Sequence, residues 1–256
     1  MGSAKSEQAS EQASEQASEP DTTALTHLDV SGIKKILVVV AHPDDPEYGL
    51  SAATHAWIEN EDIEVGYLLL TSGEAGIAAM PPEECGPLRA DEQRKACDAI
   101  GVTSLEILDF PDGHLVYNLE LREAIARTIR QFQPDAIVTL PMSLELPMGL
   151  NQADHRVVGV AALDAARDAA NPWVFRELSE PAWSARQLWI VNDIAADHVY
   201  RVSDDDEQAA IASLASHEQY LAALDDHPAA KEFIPMVLRG DNPSAPPVVK
   251  FKVYEL

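Results

Sequence analysis

The chain predicts an α/β domain built on a doubly wound, mostly parallel sheet with helices on both faces. Three observations carry that expectation. Short apolar runs alternate with amphipathic stretches through residues 31–256, which is the rhythm of strand–helix–strand units and not of a sandwich or a bundle. The run KKILVVVA at 34–41 is continuous, β-branched and flanked by charge, as suits a strand covered on both faces. With 256 residues, 46% of them hydrophobic, the chain can also fill one sizeable core.

In chain order, the opening SEQASEQASEQASEP repeats a Ser-Glu-Gln-Ala unit with almost nothing to bury, so residues 1–30 are expected to be a disordered acidic tail. Residues 31–256 are expected to be one domain. After the first strand comes a helix over 47–59. DIEVGYLLLTSG (62–73) reads as the second strand, ending in a Ser-Gly turn. PLRADEQRKACDAIGV (87–102) carries Leu88, Ala96 and Ile100 at helical spacing and stops at Gly101. SLEILDF (104–110) is the third strand, LELREAIARTIRQF (119–132) an amphipathic helix and PDAIVTLP (134–141) the fourth strand. DHRVVGVAALDAARDAA (154–170) is a long Ala-rich helix ended by Asn171-Pro172. RQLWIV (186–191), HVYRVS (198–203), a helix over 207–224 and the strand VVKFKVYEL (248–256) complete the set. The connectivity is Rossmann-like, and in such sheets ligands bind beyond the carboxyl ends of the strands.

The 43 acidic against 18 basic residues give a formal net charge of −25, a field that repels nucleic acid and anionic lipid and suits small neutral or cationic substrates. A solvated acidic surface explains the same excess. No stretch approaches the roughly 18 apolar residues of a membrane span, and the N-terminus lacks a signal-peptide core. The two cysteines, Cys85 and Cys97, lack the spacing of a zinc ribbon or redox pair and read as packing residues in a reduced compartment. The expected location is therefore cytoplasmic.

The cluster AHPDD (41–45) sits at the carboxyl end of the first strand. Its histidine and paired aspartates could be metal ligands, an acid/base pair, or a polar turn capping the next helix. A catalytic zinc site takes three protein ligands and keeps a fourth position open, so a second histidine should lie beyond another strand end. NQADHRVVG (151–159) supplies His155 at the start of the long helix, where Asp154 could act as a cap.

With AHPDD and the later DH pair in place, the sequence resembles the LmbE and PIG-L-like N-acetylglucosaminyl deacetylases. TSGEAG, LRADE, DFPDG and SHEQY are similar to further elements of that family. The resemblance implies Zn²⁺ held by His42, Asp45 and His155, Asp44 as general base, and Glu74, Arg89, Asp112 and Gln152 as substrate-pocket residues. It further implies a zinc-dependent hydrolase that removes acetyl from an N-acetylglucosaminyl or related N-acyl amino sugar, and a homo-oligomer, trimer or hexamer. Zinc lowers the pKa of a water it holds toward about 7 and polarises an amide carbonyl, and Asp44 can take that water's proton and pass it to the leaving amine. Pro46 stands after the aspartates, where Pro suits a helix's first turn. Gln152 stands where many members carry a histidine, and glutamine cannot deliver a proton. Either Asp44 carries all the proton transfer or another histidine, such as His114 or His198, reaches in.

Two other readings have sequence support. His42, Asp44 and His155 also fit the two-His-one-carboxylate set of non-haem iron enzymes, although those usually sit on antiparallel sandwiches. A catalytically silent sugar-binding member is the other. A nucleotide-binding domain is disfavoured by the absence of a Gly-rich loop after the first strand. Trp173 and Trp183 flank a Pro-containing loop, a candidate cover for the pocket.

Overall fold

A computed structural model describes residues 25–146 and 149–256. The expected tail falls outside these residues up to position 24. From 25 onward the expected boundary at Ser31 is corrected: strand β1 (Thr26–His27) pairs in parallel with a later strand, and Leu28 and Val30 are buried. The pairing partner lies far along the chain, which local composition does not reveal.

The strands and helices follow in the expected alternation: β2 (Lys35–Val40), α1 (Ser51–Glu61), β3 (Glu64–Leu69), α2 (Pro82–Ile100), β4 (Ser104–Ile107), α3 (Leu119–Phe132) and β5 (Ala136–Thr139). A short hairpin, β6 (Glu145–Leu146) with β7 (Gly149–Leu150), leads into α4 (Ala153–Ala170). The remainder is β8 (Gln187–Val191), β9 (His198–Arg201), α5 (Asp204–Ala215), α6 (Glu218–Ala222), α7 (Ala230–Arg239) and β10 (Val248–Glu255).

Among the described residues, eight strands form one sheet in the order β1-β9-β10-β8-β5-β2-β3-β4. From β8 to β4 every pairing is parallel, and β10 runs antiparallel to both its neighbours. The chain steps from β2 outward through β3 to β4, then returns to lay β5 on the other side of β2. That reversal opens a crevice at the carboxyl ends of β2 and β5, the switch point of a doubly wound sheet. Helices α3 and α4 pack against each other and against β2, whereas α1, α2, α5 and α7 form a second packed group. β2 is enclosed: Ile36 through Val40 are essentially without exposed surface.

Local chemistry accounts for the ends of these elements. Helix α2 opens five residues earlier than its apolar pattern suggests, with Pro82 in the first turn and Glu83 and Glu84 near the positive end of the dipole. Asn118 caps α3 by accepting from the Leu121 N–H at 2.8 Å, and Ser203 with Asp206 forms a capping box on α5. The single helix expected over 207–224 divides at Ser216 and His217, because His217 leaves helical geometry and its imidazole turns into the interior. Helix α4 docks tightly on the exit of β5: a Cβ on Gly159 would lie 2.5 Å from the Leu140 carbonyl oxygen. His155, one turn earlier on the same face, is thereby brought to the strand ends.

Candidate metal centre and its carboxylate partner

Four parallel strands deliver the polar residues to one edge. His42, Asp44 and Asp45 follow β2, Glu74 follows β3, Asp112 follows β4, and Asp154 and His155 follow the hairpin after β5. Donor atoms of His42, Asp45 and His155 all lie within 4.8 Å of one another. Asp45 is pinned by its own turn: its Oδ2 accepts from the backbone N–H groups of Ala41 at 2.9 Å and His42 at 2.8 Å. Its Oδ1 lies 3.0 Å from His155 Nε2, and its Oδ2 lies 3.6 Å from His42 Nδ1.

A second group, His42, Asp112 and Asp154, is equally close. It reads as an orienting clamp. His42 Nε2 lies 3.0 Å from Asp112 Oδ1 and 3.4 Å from Asp154 Oδ2. Both carboxylates are themselves held by backbone donors: Asp112 by the Ala75 N–H at 2.9 Å, Asp154 by Gly113 at 2.8 Å and Leu115 at 3.2 Å. An imidazole that donates its Nε2–H to such carboxylates turns its Nδ1 lone pair toward Asp45, the arrangement usual for a metal-ligating histidine.

The electrostatics fit a cation. Burial opposes protonation of His42, but the Asp45 charge and the bonds to Asp112 and Asp154 push its pKa up to about 12. His155 is likewise raised, against burial, by the Asp45 charge. Asp45, despite burial, is held far below the usual carboxylate range by His155 and His42. Two imidazoles and a carboxylate, in surroundings that call for positive charge, are a donor set suited to a divalent ion such as Zn²⁺.

Asp44, next to Asp45 in the chain, has a different set of partners. Burial raises its pKa to about 6, with Arg89 pulling it down and the Asp45 charge pushing it up. Arg89 Nη2 lies 3.1 Å from Asp44 Oδ1 and also donates to the Pro43 carbonyl, while its Nη1 donates to the Gly73 carbonyl at 3.0 Å. The Arg89 guanidinium stacks on Tyr220, 3.9 Å from the ring centre. Gly73 is required here: its φ is +65°, and a Cβ would lie 2.2 Å from Arg89 Nη1.

Three of the four residues expected to contact substrate also bond within the protein. Arg89 is buried and its Nη groups bond to the chain. Glu74 accepts from the Asp112 N–H at 2.8 Å and from Ser72 Oγ at 3.0 Å. Asp112 is a partner of His42. Gln152 is the exposed exception, in the N-cap position of α4 without a side-chain cap bond. Asp154, read from sequence as a possible helix cap, is the residue the pattern undervalued; its place directly before His155 was the available signal.

Of the substitute histidines, His198 lies in β9 and pairs with Asp197 at 2.7 Å. Three strands separate it from β2, roughly 19 Å at the usual strand spacing, so it does not reach the site. His114 is exposed on the Asp112 loop, its Nδ1 3.1 Å from the Asp112 carbonyl oxygen. The tryptophan loop does not cover the pocket: it follows the far end of α4, about 27 Å from His155's end, and Trp183 donates to the Pro134 carbonyl ahead of β5. Both cysteines are buried free thiols, as expected of packing residues.

With this geometry established, similarity to known proteins becomes specific. Residues 37–166 match the PIG-L family, described as GlcNAc-PI de-N-acetylase. The chain belongs to that family. It is 34% identical over 142 residues, 55% of its length, to the diacetylchitobiose deacetylase of Thermococcus kodakarensis, of which the match covers 52%. The chain thus spans little more than half the length of the curated relatives it matches. In fold it is similar to the N,N'-diacetylchitobiose deacetylase of Pyrococcus horikoshii, with TM-score 0.77, 19% identity, and coverage of 92% of this chain and 88% of that one. It is also similar to GalB, a 4-carboxy-2-hydroxymuconate hydratase from Pseudomonas putida KT2440, with TM-score 0.68, 17% identity, and coverage of 86% and 95%. The fold therefore accompanies more than one reaction, and the reading of function rests on the site. Among the described residues, no helix is long and apolar enough to cross a membrane.

Proposed function

We propose that the protein is a zinc-dependent N-deacetylase that releases acetate from an N-acetylglucosaminyl or related N-acyl amino sugar. The observation that carries this reading is the separation of two adjacent aspartates, with Asp45 kept ionised among two histidines and Asp44 raised to about 6. His42, Asp45 and His155 would hold Zn²⁺, which supplies Lewis acidity toward a water and an amide carbonyl.

Asp44 is the general base. A carboxylate with a pKa near 6 is ionised at neutral pH yet basic enough to accept a proton from the attacking water. It then returns that proton to the leaving nitrogen, which departs as the free amine. Arg89 acts from behind, holding the Asp44 carboxylate and the loop that bears it. Asp112 and Asp154 keep the His42 ring turned toward Asp45. Gln152, at the exposed rim, can donate a hydrogen bond to the substrate but supplies no proton.

The relatives named as diacetylchitobiose deacetylases support a small neutral N-acetylated saccharide as substrate. Two buried free cysteines suit a reducing, cytoplasmic setting. The test is metal analysis together with acetate release from N,N'-diacetylchitobiose and other N-acetylglucosaminyl compounds. Stoichiometric zinc and acetate production are expected. Absence of bound metal, or of acetate from every such compound, overturns the reading in favour of a silent sugar binder.

A further inference from the structure

The peptide linking Pro43 to Asp44 is held at both poles. Its carbonyl accepts from Arg89 Nη2, and its N–H donates to Gln93 Oε1 at 2.9 Å. The C=O and N–H of a trans peptide point in opposite directions, so the two contacts fix the plane between them. Arg89 and Gln93 are four residues apart on α2 and share one face. That plane matters because Asp44 has φ +94°, a conformation that residues other than glycine seldom adopt and that needs outside support.

Gln93 is itself anchored from behind. Its Nε2 donates to the two carboxylate oxygens of Glu47 at 3.2 and 3.3 Å. Glu47 in turn accepts from Ser213 Oγ at 3.3 Å and lies 3.4 Å from His217 Nε2. Gln93, Glu47, Ser213 and His217 are all fully buried. A carboxylate only accepts, so Glu47 turns the amide with its nitrogen inward and its oxygen toward the Asp44 N–H. A carboxamide meets both demands. A glutamate would set a second acid against Glu47, and an apolar side chain would leave the buried Asp44 N–H without a partner and take one donor from Glu47.

We propose that Gln93 is a positioning residue for the general base: it locks the Pro43–Asp44 peptide and so aims the Asp44 carboxylate, with Glu47 as its rear anchor. The inference rests on the role given to Asp44 above. It explains why a fully buried network without substrate access runs from α5 and α6 to the catalytic loop.

The test is Gln93→Met, assayed for acetate release and metal content alone and in an Asp44→Asn background. In the otherwise wild-type protein kcat is expected to fall on the order of 10- to 100-fold, with KM within about twofold and metal content unchanged. In the Asp44→Asn background the same substitution is expected to cost less than about twofold, because both changes act through one group. Undiminished kcat, or an equal loss in both backgrounds, overturns the proposal. Should Gln93→Met fail to fold, Glu47→Gln, which weakens the anchor without a cavity, is expected to lower kcat by about threefold; unchanged kcat there overturns it equally. Inactive wild-type protein would overturn the proposed function and this inference together, whereas active wild type with an undiminished Gln93→Met removes only the role of Gln93.

Discussion

Asp44 and Asp45 are neighbours in the chain but belong to different regions of the molecule. Asp45 looks toward α4 and the strand exits, among His42 and His155, where the polar groups call for added positive charge. Asp44 is held from α2, where Arg89 pairs with its carboxylate, Gln93 accepts from its backbone N–H, and Glu47 anchors Gln93 from behind. Asp44 carries a left-handed φ of +94°, and the two side chains find different partners. One region therefore gathers two imidazoles and a carboxylate as a donor set. The other is a finished scaffold that presents a single carboxylate of adjusted basicity. Two identical side chains acquire different chemistry because the backbone between them is bent and held, an economy that needs only one loop.

Breaking the Asp45 region should have the largest effect. His155→Ala removes one of the three donors and is expected to lose both bound zinc and activity, with turnover down by about 10³-fold or more, since metal chemistry supplies the nucleophile. Metal analysis beside an acetate assay checks this; retained zinc would move His155 out of the ligand set. A smaller effect is expected from Asp154→Asn, which keeps a hydrogen-bond acceptor but weakens the clamp on His42. Loss of such a supporting partner costs about 10- to 100-fold in metal affinity, readable by competition with a chelator.

The Asp44 region is sharpened by pH. Asp44 must be ionised to accept a proton, so activity falls as pH drops through its pKa. That value is about 6 without a neighbouring cation, and a divalent ion beside Asp45 favours the carboxylate and shifts the limb lower. The acid limb of kcat/KM is thus expected at or below about 6, and a limb well above that would assign it to another group. The smallest change is expected from Gln152→His: a proton donor at the exposed rim should raise kcat by less than about tenfold. A larger gain would show that proton delivery limits the present enzyme.

The sheet and the grouping of the candidate site's residues at its carboxyl edge were legible in the sequence because they depend on patterns that local residues carry. ILVVV must be enclosed, and AHPDD at its end must lie at the carboxyl edge of a parallel sheet. His155 was singled out because a metal site asks for a second histidine and it stood at the start of the helix that follows the fourth strand. What escaped depends on contacts distant in sequence. The pairing of β1 with β9 across about 170 residues leaves no local mark. Helix α7 was missed because Pro235 interrupts a short apolar pattern. That Asp112 lies against His42 and Arg89 against Asp44 is a contact only the fold reveals. Gln93 gave no signal at all, since a glutamine on a helix is ordinarily a surface residue.

The central claim is that the two aspartates do different work, and a paired substitution tests it most directly. Asp45→Asn and Asp44→Asn should each be purified with zinc present, analysed for metal and assayed for acetate release. The expected result is that Asp45→Asn loses zinc and activity together, while Asp44→Asn keeps full zinc and loses about 10²- to 10⁴-fold in kcat. Parallel loss of zinc in both variants, or undiminished acetate release by Asp44→Asn, would contradict it.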